Sequence, residues 1–526
     1  METAAGTLSS SRAVVRSGVY SLVGFLASAG YMFLVVPVAV GYLGQEQYGL
    51  WTTIAAVTAY IGLADFGVST SFVTFIARFV TTGQYDQASR VVHFGLLFYA
   101  AVSIVLMAIT LGLYPVAFAV LRIPADQALL ARDALVLILL SFALTSTGSV
   151  LTNALAAIQR MDVVNGVATG ALIVKFGVII AALEAGWGLR GLLGADLAVT
   201  VLTIPVVVVL TRRHMPYLSF RWIGYDHALM RALFRFGAQM QVSRISDMVM
   251  ANFDKLILAR LSGLAVVATY DFGAKPAGRL RQLPATAITS LVAAVSALDA
   301  EANEERIRAA LIRSTRYLAI VSAPLFGFCI LFAGPLVHAW LGPGQDMAAM
   351  TLRILSTAFF VSAVVSALSM ISIGRGEPQF QMRAMLVQTV VNIVLSLTLV
   401  LLFGFYGAVT GTAGATLVGA LFFFSIYGRR ILDHPLRTLA GIMTRPVGCA
   451  MAAGLGAWLV FGALTLPDGL SLGRFALAGV LAGTGVLFVV LYGGFLVWSR
   501  TLTADDAGFL KGVLPARIAE VLARRA

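Results

Sequence analysis

Gly186-Trp-Gly-Leu-Arg-Gly-Leu-Leu-Gly-Ala195 and Gly404-Phe-Tyr-Gly-Ala-Val-Thr-Gly-Thr-Ala-Gly-Ala415 are short connections of one design: Gly191, Gly194 and Ala195 align with Gly411, Gly414 and Ala415 at a common offset of 220. Each separates two unbroken apolar runs, 164–185 from 190–210 and 383–403 from 406–427. Runs of ~20 apolar residues carry an α-helix across a ~30 Å hydrocarbon core, so each connection is the turn of a transmembrane hairpin. A second pair agrees. Leu43-Gly44-Gln-Glu-Gln-Tyr-Gly-Leu-Trp51 corresponds to Ser262-Gly263-Leu-Ala-Val-Val-Ala-Thr-Tyr270 at an offset of 219. Two nearly equal offsets point to a duplicated block of six helices, an arrangement that suits rocking about a central site. The glycines also admit a packing role, because small residues let helices approach closely in lipid.

Outward from these hairpins the whole chain reads the same way. Of 526 residues, 59% are hydrophobic and only 12% charged, more apolar surface than a water-soluble domain hides. The runs are continuous rather than alternating, which excludes a β-barrel. Fourteen helices are expected: 17–42, 50–77, 91–120, 133–157, 164–185, 190–210, 236–260, 264–292, 310–333, 350–373, 383–403, 406–427, 446–466 and 474–498. The fold class is therefore all-α and polytopic, with two six-helix lobes at 1–210 and 236–427. An amphipathic cytoplasmic linker is expected at 211–235, two extra helices over 446–498, and a cytoplasmic tail over 499–526 that lies flat on the membrane surface.

The net charge of +13 would suggest nucleic acid in a soluble chain, but here the arginines sit mainly in short connections on one face. Arg90, Arg160, Arg212, Arg213, Arg306, Arg308, Arg375, Arg429 and Arg430 mark that face; Arg122, Arg190, Arg260 and Arg474 mark the other. The positive-inside rule makes the richer face cytoplasmic, with both termini inside and no nucleic-acid partner expected. Arg12 and Arg16 precede an apolar stretch too long for a signal-peptide core, so the first helix is expected to stay uncleaved. Cys329 and Cys449 lie in apolar runs without metal-site spacing.

Ionisable residues inside the membrane are the candidate site, since each must face water, pair or snorkel. Arg244, Asp247, Asp254 and Lys255 fall within a roughly 100° arc of the seventh helix and form one polar stripe. Asp271, Lys275 and Arg279 follow at i, i+4 spacing on the eighth, which Pro276 and Pro284 are expected to bend. Lys175 on the fifth helix has no carboxylate within a turn, and Arg353 stands on the tenth. Substrate binding is expected at Lys175, Arg244, Lys255, Lys275, Arg279 and Arg353, because guanidinium forks and ammonium groups suit a diphosphate. Asp65, Asp247, Asp254 and Asp271 are the candidates for ion coupling. The competing expectation is mutual neutralisation, Arg244 by Asp247 and Lys275 by Asp271.

Gly41-Tyr-Leu-Gly-Gln-Glu-Gln-Tyr-Gly-Leu-Trp51, Leu63-Ala-Asp-Phe-Gly67 and Phe253-Asp-Lys-Leu-Ile-Leu-Ala-Arg260 give the chain, from about Arg12 to Trp498, a resemblance to the polysaccharide transporter family. That family comprises the O-antigen and exopolysaccharide repeat-unit flippases of the multidrug/oligosaccharidyl-lipid/polysaccharide exporter superfamily. The resemblance implies two lobes in a V around a central cavity. It also implies alternating access that flips an undecaprenyl-diphosphate-linked oligosaccharide from the cytoplasmic to the periplasmic leaflet of a bacterial inner membrane. The alternatives are an ion-coupled exporter of amphipathic organic compounds and a lipid II flippase. Drug-exporting relatives commonly place an acid in the first helix or several acids across the seventh and tenth; here the first helix has no acid, and the tenth has Arg353 but no acid.

No Walker sequence, nucleophile elbow or metal-ligand cluster occurs, and no large external loop carries paired acids, so an enzyme is not expected. No cofactor is expected. Coupling to a proton or sodium gradient, or to the membrane potential, is. The expected partners are membrane lipids, the lipid-linked glycan, and the polysaccharide polymerase and chain-length machinery.

Overall fold

The computed structural model describes residues 2–65, 68–218, 224, 226–287, 295–296, 298–299, 303–465, 473–499 and 501. Among them the chain is helical, with no strand. The helices are α1 (Glu2–Ile61), α2 (Val68–Thr81), α3 (Tyr85–Val120), α4 (Ala128–Ala157), α5 (Met161–Glu184), α6 (Gly188–His214), α7 (His227–Ser262) and α8 (Leu264–Ala287). They continue with α9 (Glu304–Leu331), α10 (Ala333–Leu341), α11 (Asp346–Gly374), α12 (Pro378–Phe403), α13 (Phe405–Gly428), α14 (Pro435–Thr465) and α15 (Arg474–Trp498).

Among the described residues eleven helices are long and apolar enough to cross a membrane. The expected fourteen is not reached on length and apolarity alone, for three physical reasons. First, α1 is two helices joined at Gly44, whose φ of 75° and ψ of 172° only glycine adopts readily. Second, the expected helix over 50–77 is broken by a 3-10 turn at Gly62–Asp65, beyond which the Asp65 carboxylate accepts from the Ser69 N–H (3.3 Å) and starts α2 in the manner of an N-cap. Third, α7 and α8 carry the charged stripes that lower their hydropathy. Both are continuous, and α8 runs through Pro276 and Pro284.

The expected interfacial helix over 211–235 is not seen among the described residues. Residues 211–214 extend α6, and 227–235 open α7. Between them Tyr217 packs against Tyr85 with ring centroids 4.2 Å apart and the ring planes tilted by 35°. Burial, and then the neighbouring Tyr85, push the Tyr217 phenol above its ordinary pKa. Arg221, Trp222, Phe66, Gly67 and the tail beyond Thr501 lie outside the described residues.

The chain divides into two compact units, 1–268 and 269–526. In the first, Val68, Phe72 and Ile76 of α2 pack with Val91 and Val92 of α3, Val150 and Leu151 of α4, and Leu233 of α7. Gly95 makes room for this core: a methyl group there would lie 2.8 Å from the Phe72 ring. The α7 helix, expected to open the second lobe, packs in this unit, where the buried Ser71 hydroxyl donates to the Leu233 carbonyl (2.9 Å). At Gly49 the backbone approaches so closely that a methyl group would lie 1.8 Å from the Leu264 carbonyl oxygen.

In the second unit, Ile307, Leu311, Val364, Leu368, Phe423 and Phe424 form one core cluster. Phe332, Ala453, Leu481 and Phe488 belong to another. The α12–α13 hairpin is its tightest pairing. A methyl group at Gly407 would fall 1.9 Å from the Leu399 carbonyl oxygen, and one at Gly411 would fall 2.9 Å from the Ser396 backbone. Fully buried Asn392 donates from there to Thr412 (2.9 Å) and Ser396 (3.3 Å), a polar contact of the kind that joins helices in lipid.

Candidate functional site

In the first unit Asp65 is the hub. Its side chain is 12% exposed and meets Arg244 of α7, while the Tyr99 hydroxyl of α3 donates to its other oxygen. Arg244 also reaches the Ser69 hydroxyl (3.4 Å), and the Gln241 amide one turn earlier donates to the Leu63 carbonyl. The 3-10 break in the second helix is what turns Asp65 toward these partners. Arg244 therefore pairs with an acid of another helix, Asp65, a partner that the spacing on its own helix does not reveal. Asp247 is exposed, Asp254 is buried and Lys255 half-buried on the same stripe.

Lys175 is not isolated. Its ammonium sits against the Asp196 carboxylate of α6 and 5.6 Å from the centre of the Tyr31 ring of α1, a cation–π distance. Asp196 is not among the residues the sequence singles out, because no helix-periodic rule links it to Lys175. The hairpin does: the two residues stand equally far from the turn at Ala185–Gly186, so an antiparallel α5–α6 pair sets them level. Beside them lies a cavity of about 360 Å³ walled by α4, α5 and α6.

In the second unit Asp271, with no solvent exposure, pairs with Lys275 one turn on (2.6 Å), the neutralisation expected from their spacing. Arg279 is half-buried and reaches Gln282 at 3.5 Å. Arg281 lies 5.4 Å from the Phe359 ring centre on α11. Arg353 is exposed and donates to the Ile330 carbonyl (3.0 Å) in the last turn of α9, where helix carbonyls lack intrahelical donors. Arg313 and Arg316 stand about three turns inside α9, and no acid follows Glu305 on that helix. The sequence signal for them was available, but positions 310–333 read as an apolar run with charge only at its head.

On the turns of this unit an ionic clasp joins successive hairpins. Arg375, between α11 and α12, pairs with Glu304 (2.6 Å) and Asp299 (3.1 Å). Arg430 beyond α13 pairs with Glu377 (2.8 Å) and Arg308 with Asp433 (3.0 Å). Burial alone would lower the Arg375 pKa, but Glu304, Tyr427 and Asp299 outweigh it and hold the guanidinium above its ordinary value. Among the described residues no cluster of three or more His, Cys, Asp or Glu side chains could hold a metal ion.

Apolar spans interrupted by paired charges, in two compact units, define a polytopic helical membrane protein, and its fold is shared with solved transporter structures. The comparisons agree on that fold. The lipid II flippase MurJ in its inward closed conformation superposes with a TM-score of 0.69, at 11% identity, over 92% of this chain and 99% of that one. An inward-facing multidrug resistance MATE family transporter of the superfamily gives 0.62 at 18% identity, over 76% of this chain and 94% of that one. A MOP superfamily transporter from Pyrococcus furiosus gives 0.57 at 19% identity, over 80% and 95%. No curated protein matches the sequence. The chain belongs to the polysaccharide biosynthesis protein family, whose model matches residues 14–298.

Proposed function

We propose that the chain is a flippase that moves undecaprenyl-diphosphate-linked oligosaccharide repeat units from the cytoplasmic to the periplasmic leaflet of a bacterial inner membrane. It works by alternating access and serves surface polysaccharide synthesis. The observation that carries this reading is the excess of cations inside the second unit of a polysaccharide biosynthesis protein. By count along the helices, α8 carries Lys275, Arg279 and Arg281 against one acid, Asp271, and α9 carries Arg313 and Arg316 after its last acid, Glu305.

Charges in a membrane span are maintained only where they pair or meet a polar ligand, and planar guanidinium groups match phosphate oxygens in pairs. Arg353 adds to the basic set of the second unit, and Lys255 and Arg244 are the candidate cations of the first. A diphosphate moving outward also follows an inside-negative potential, worth ~2.3 kcal/mol per charge per 100 mV. Asp65 is the coupling carboxylate in this reading: protonating it would release Arg244, so its charge state differs between the conformations it favours. Asp247, Asp254 and Asp271 are the further candidates.

Depletion of the protein in its host tests the reading. Mass spectrometry should find polyprenyl-diphosphate oligosaccharide accumulating while surface polysaccharide falls. Unchanged lipid-linked sugars with greater susceptibility to cationic compounds would instead show an exporter, and accumulation of lipid II would show a peptidoglycan-precursor flippase.

A further inference from the structure

We infer that the α4–α5–α6 cavity of the first unit is a sugar subsite, taking the uncharged glycan portion of the cargo and not its diphosphate; the identity of that glycan as cargo rests on the flippase reading above. The cavity, about 360 Å³, falls within the ~300–1,000 Å³ typical of small-molecule pockets. Its chemistry is one-sided in an informative way.

Five hydroxyls line it, from Thr145, Ser149, Thr152, Thr200 and Thr203, and the last four have committed their protons to their own helices. Ser149 donates to the Ser146 carbonyl (2.6 Å), Thr152 to Ser149 (3.0 Å), Thr200 to Asp196 (2.8 Å) and Thr203 to Val199 (2.7 Å). A hydroxyl has one donor and two lone pairs, so what these four present to the cavity is acceptors. The second oxygen of Asp196 is another. Acceptors therefore outnumber the donors left at Thr145 and Lys175, and a ligand that brings several donors of its own suits the cavity. A fully ionised diphosphate brings only acceptors.

Charge points the same way. Lys175 and Asp196 neutralise each other, leaving the cavity with no net charge to attract an anion. Both side chains remain partly exposed, 25% and 31%, which leaves their remaining N–H groups and lone pairs available to a polar ligand. Between the polar groups the wall is apolar, from Leu144, Leu172, Ile204 and Val207. Convergent acceptors, a neutral donor–acceptor pair and apolar surface match the hydroxyls and the C–H face of a sugar ring.

The test uses the full chain in lipid nanodiscs and saturation-transfer NMR with maltose, lactose and sucrose as free neutral probes, each with and without inorganic pyrophosphate. The wild type should transfer saturation to at least one disaccharide, and pyrophosphate should not displace it. Thr152→Val/Thr200→Val/Thr203→Val, which keeps shape and removes three acceptors, should weaken binding about tenfold or more, while the matching triple Thr→Ser variant should retain it.

Silence from all three sugars in the wild type, displacement by pyrophosphate, or an unaltered signal in the valine variant would overturn the assignment. The wild-type competition stands even where the valine variant fails to fold. If depletion shows lipid-linked glycan accumulating while sugar binding is absent, only the subsite falls; sugar binding without accumulation removes the flippase reading and leaves the subsite.

Discussion

Asp65 is placed by a local break and then used by three elements, which makes it sensitive to substitution. Removing one partner of a buried ion pair leaves the other charge stranded, at ~3–5 kcal/mol when fully buried. Arg244 is 37% exposed, so water recovers part of that. Asp65→Asn is expected to destabilise the protein by about 2 kcal/mol, and Arg244→Gln by a similar amount. The double variant should lose less than the two together, by about 1–2 kcal/mol, because the second change relieves the charge the first one strands. Denaturant titration of the purified protein in detergent reads all three differences; strict additivity would mean that the pair is not an energetic unit. At this scale the sequence shows the ionisable residues but not their partners. Helical periodicity ranks neighbours on one helix, whereas Asp65–Arg244 and Lys175–Asp196 join residues of different helices. Asp271–Lys275 was legible because its spacing is i, i+4.

The glycine-rich elements separate positions that look alike in sequence. Gly191 and Gly411 are both packing glycines: a methyl group at Gly191 would lie 2.6 Å from the Trp187 side chain, and one at Gly411 would lie 2.9 Å from the Ser396 backbone. Gly194 and Gly414 are aligned just as well, yet a methyl group at Gly194 meets nothing within 4 Å. Periodicity gives which face a glycine occupies, but not how near the opposing backbone comes. Gly407→Ala is therefore expected to pry the α12–α13 hairpin apart, since its methyl group would sit 1.9 Å from a carbonyl oxygen that cannot swing aside. The loss should be ~1–3 kcal/mol or failure to accumulate in the membrane. Gly194→Ala should stay within ~0.5 kcal/mol of the wild type. Thermal unfolding of both variants decides the contrast. The broken second helix was not legible for a related reason: residues 50–77 have the composition of one span, and only the cap made by Asp65 stops it.

The whole molecule carries its duplication in the backbone as well as in the sequence. Residues with left-handed φ recur in register: Gly44 with Gly263, Arg122 with Gly342, Gln159 with Gly376, and Gly186 with Gly404, at offsets of 219, 220, 217 and 218. Each ends a helix, so the two sets of six helices turn at equivalent places although few of their side chains agree. Two of these, Arg122 and Gln159, are not glycine, which hid the correspondence from residue matching. The same register carries an expectation of sidedness. Alternate crossings would bring the turns at 44, 122 and 186 of the first unit to one side of a membrane and 159 to the other, and in the second unit 342 and 404 to one side and 376, with the Arg375–Glu304 clasp, to the other. The arginine-rich connections belong with the turns at 159 and 376, and the positive-inside rule makes a cytoplasmic placement of those turns the expectation to test. Thr82→Cys, in the exposed α2–α3 turn, and Gln345→Cys, between α10 and α11, test this in a chain whose native cysteines lie within α9 and α14. A membrane-impermeant maleimide added to intact spheroplasts should label the Gln345→Cys variant and spare Thr82→Cys; inverted vesicles should reverse the pattern. Labelling of both from one side would break the alternation of turns, and with it the even, paired arrangement of helices that alternating access through a duplicated bundle requires.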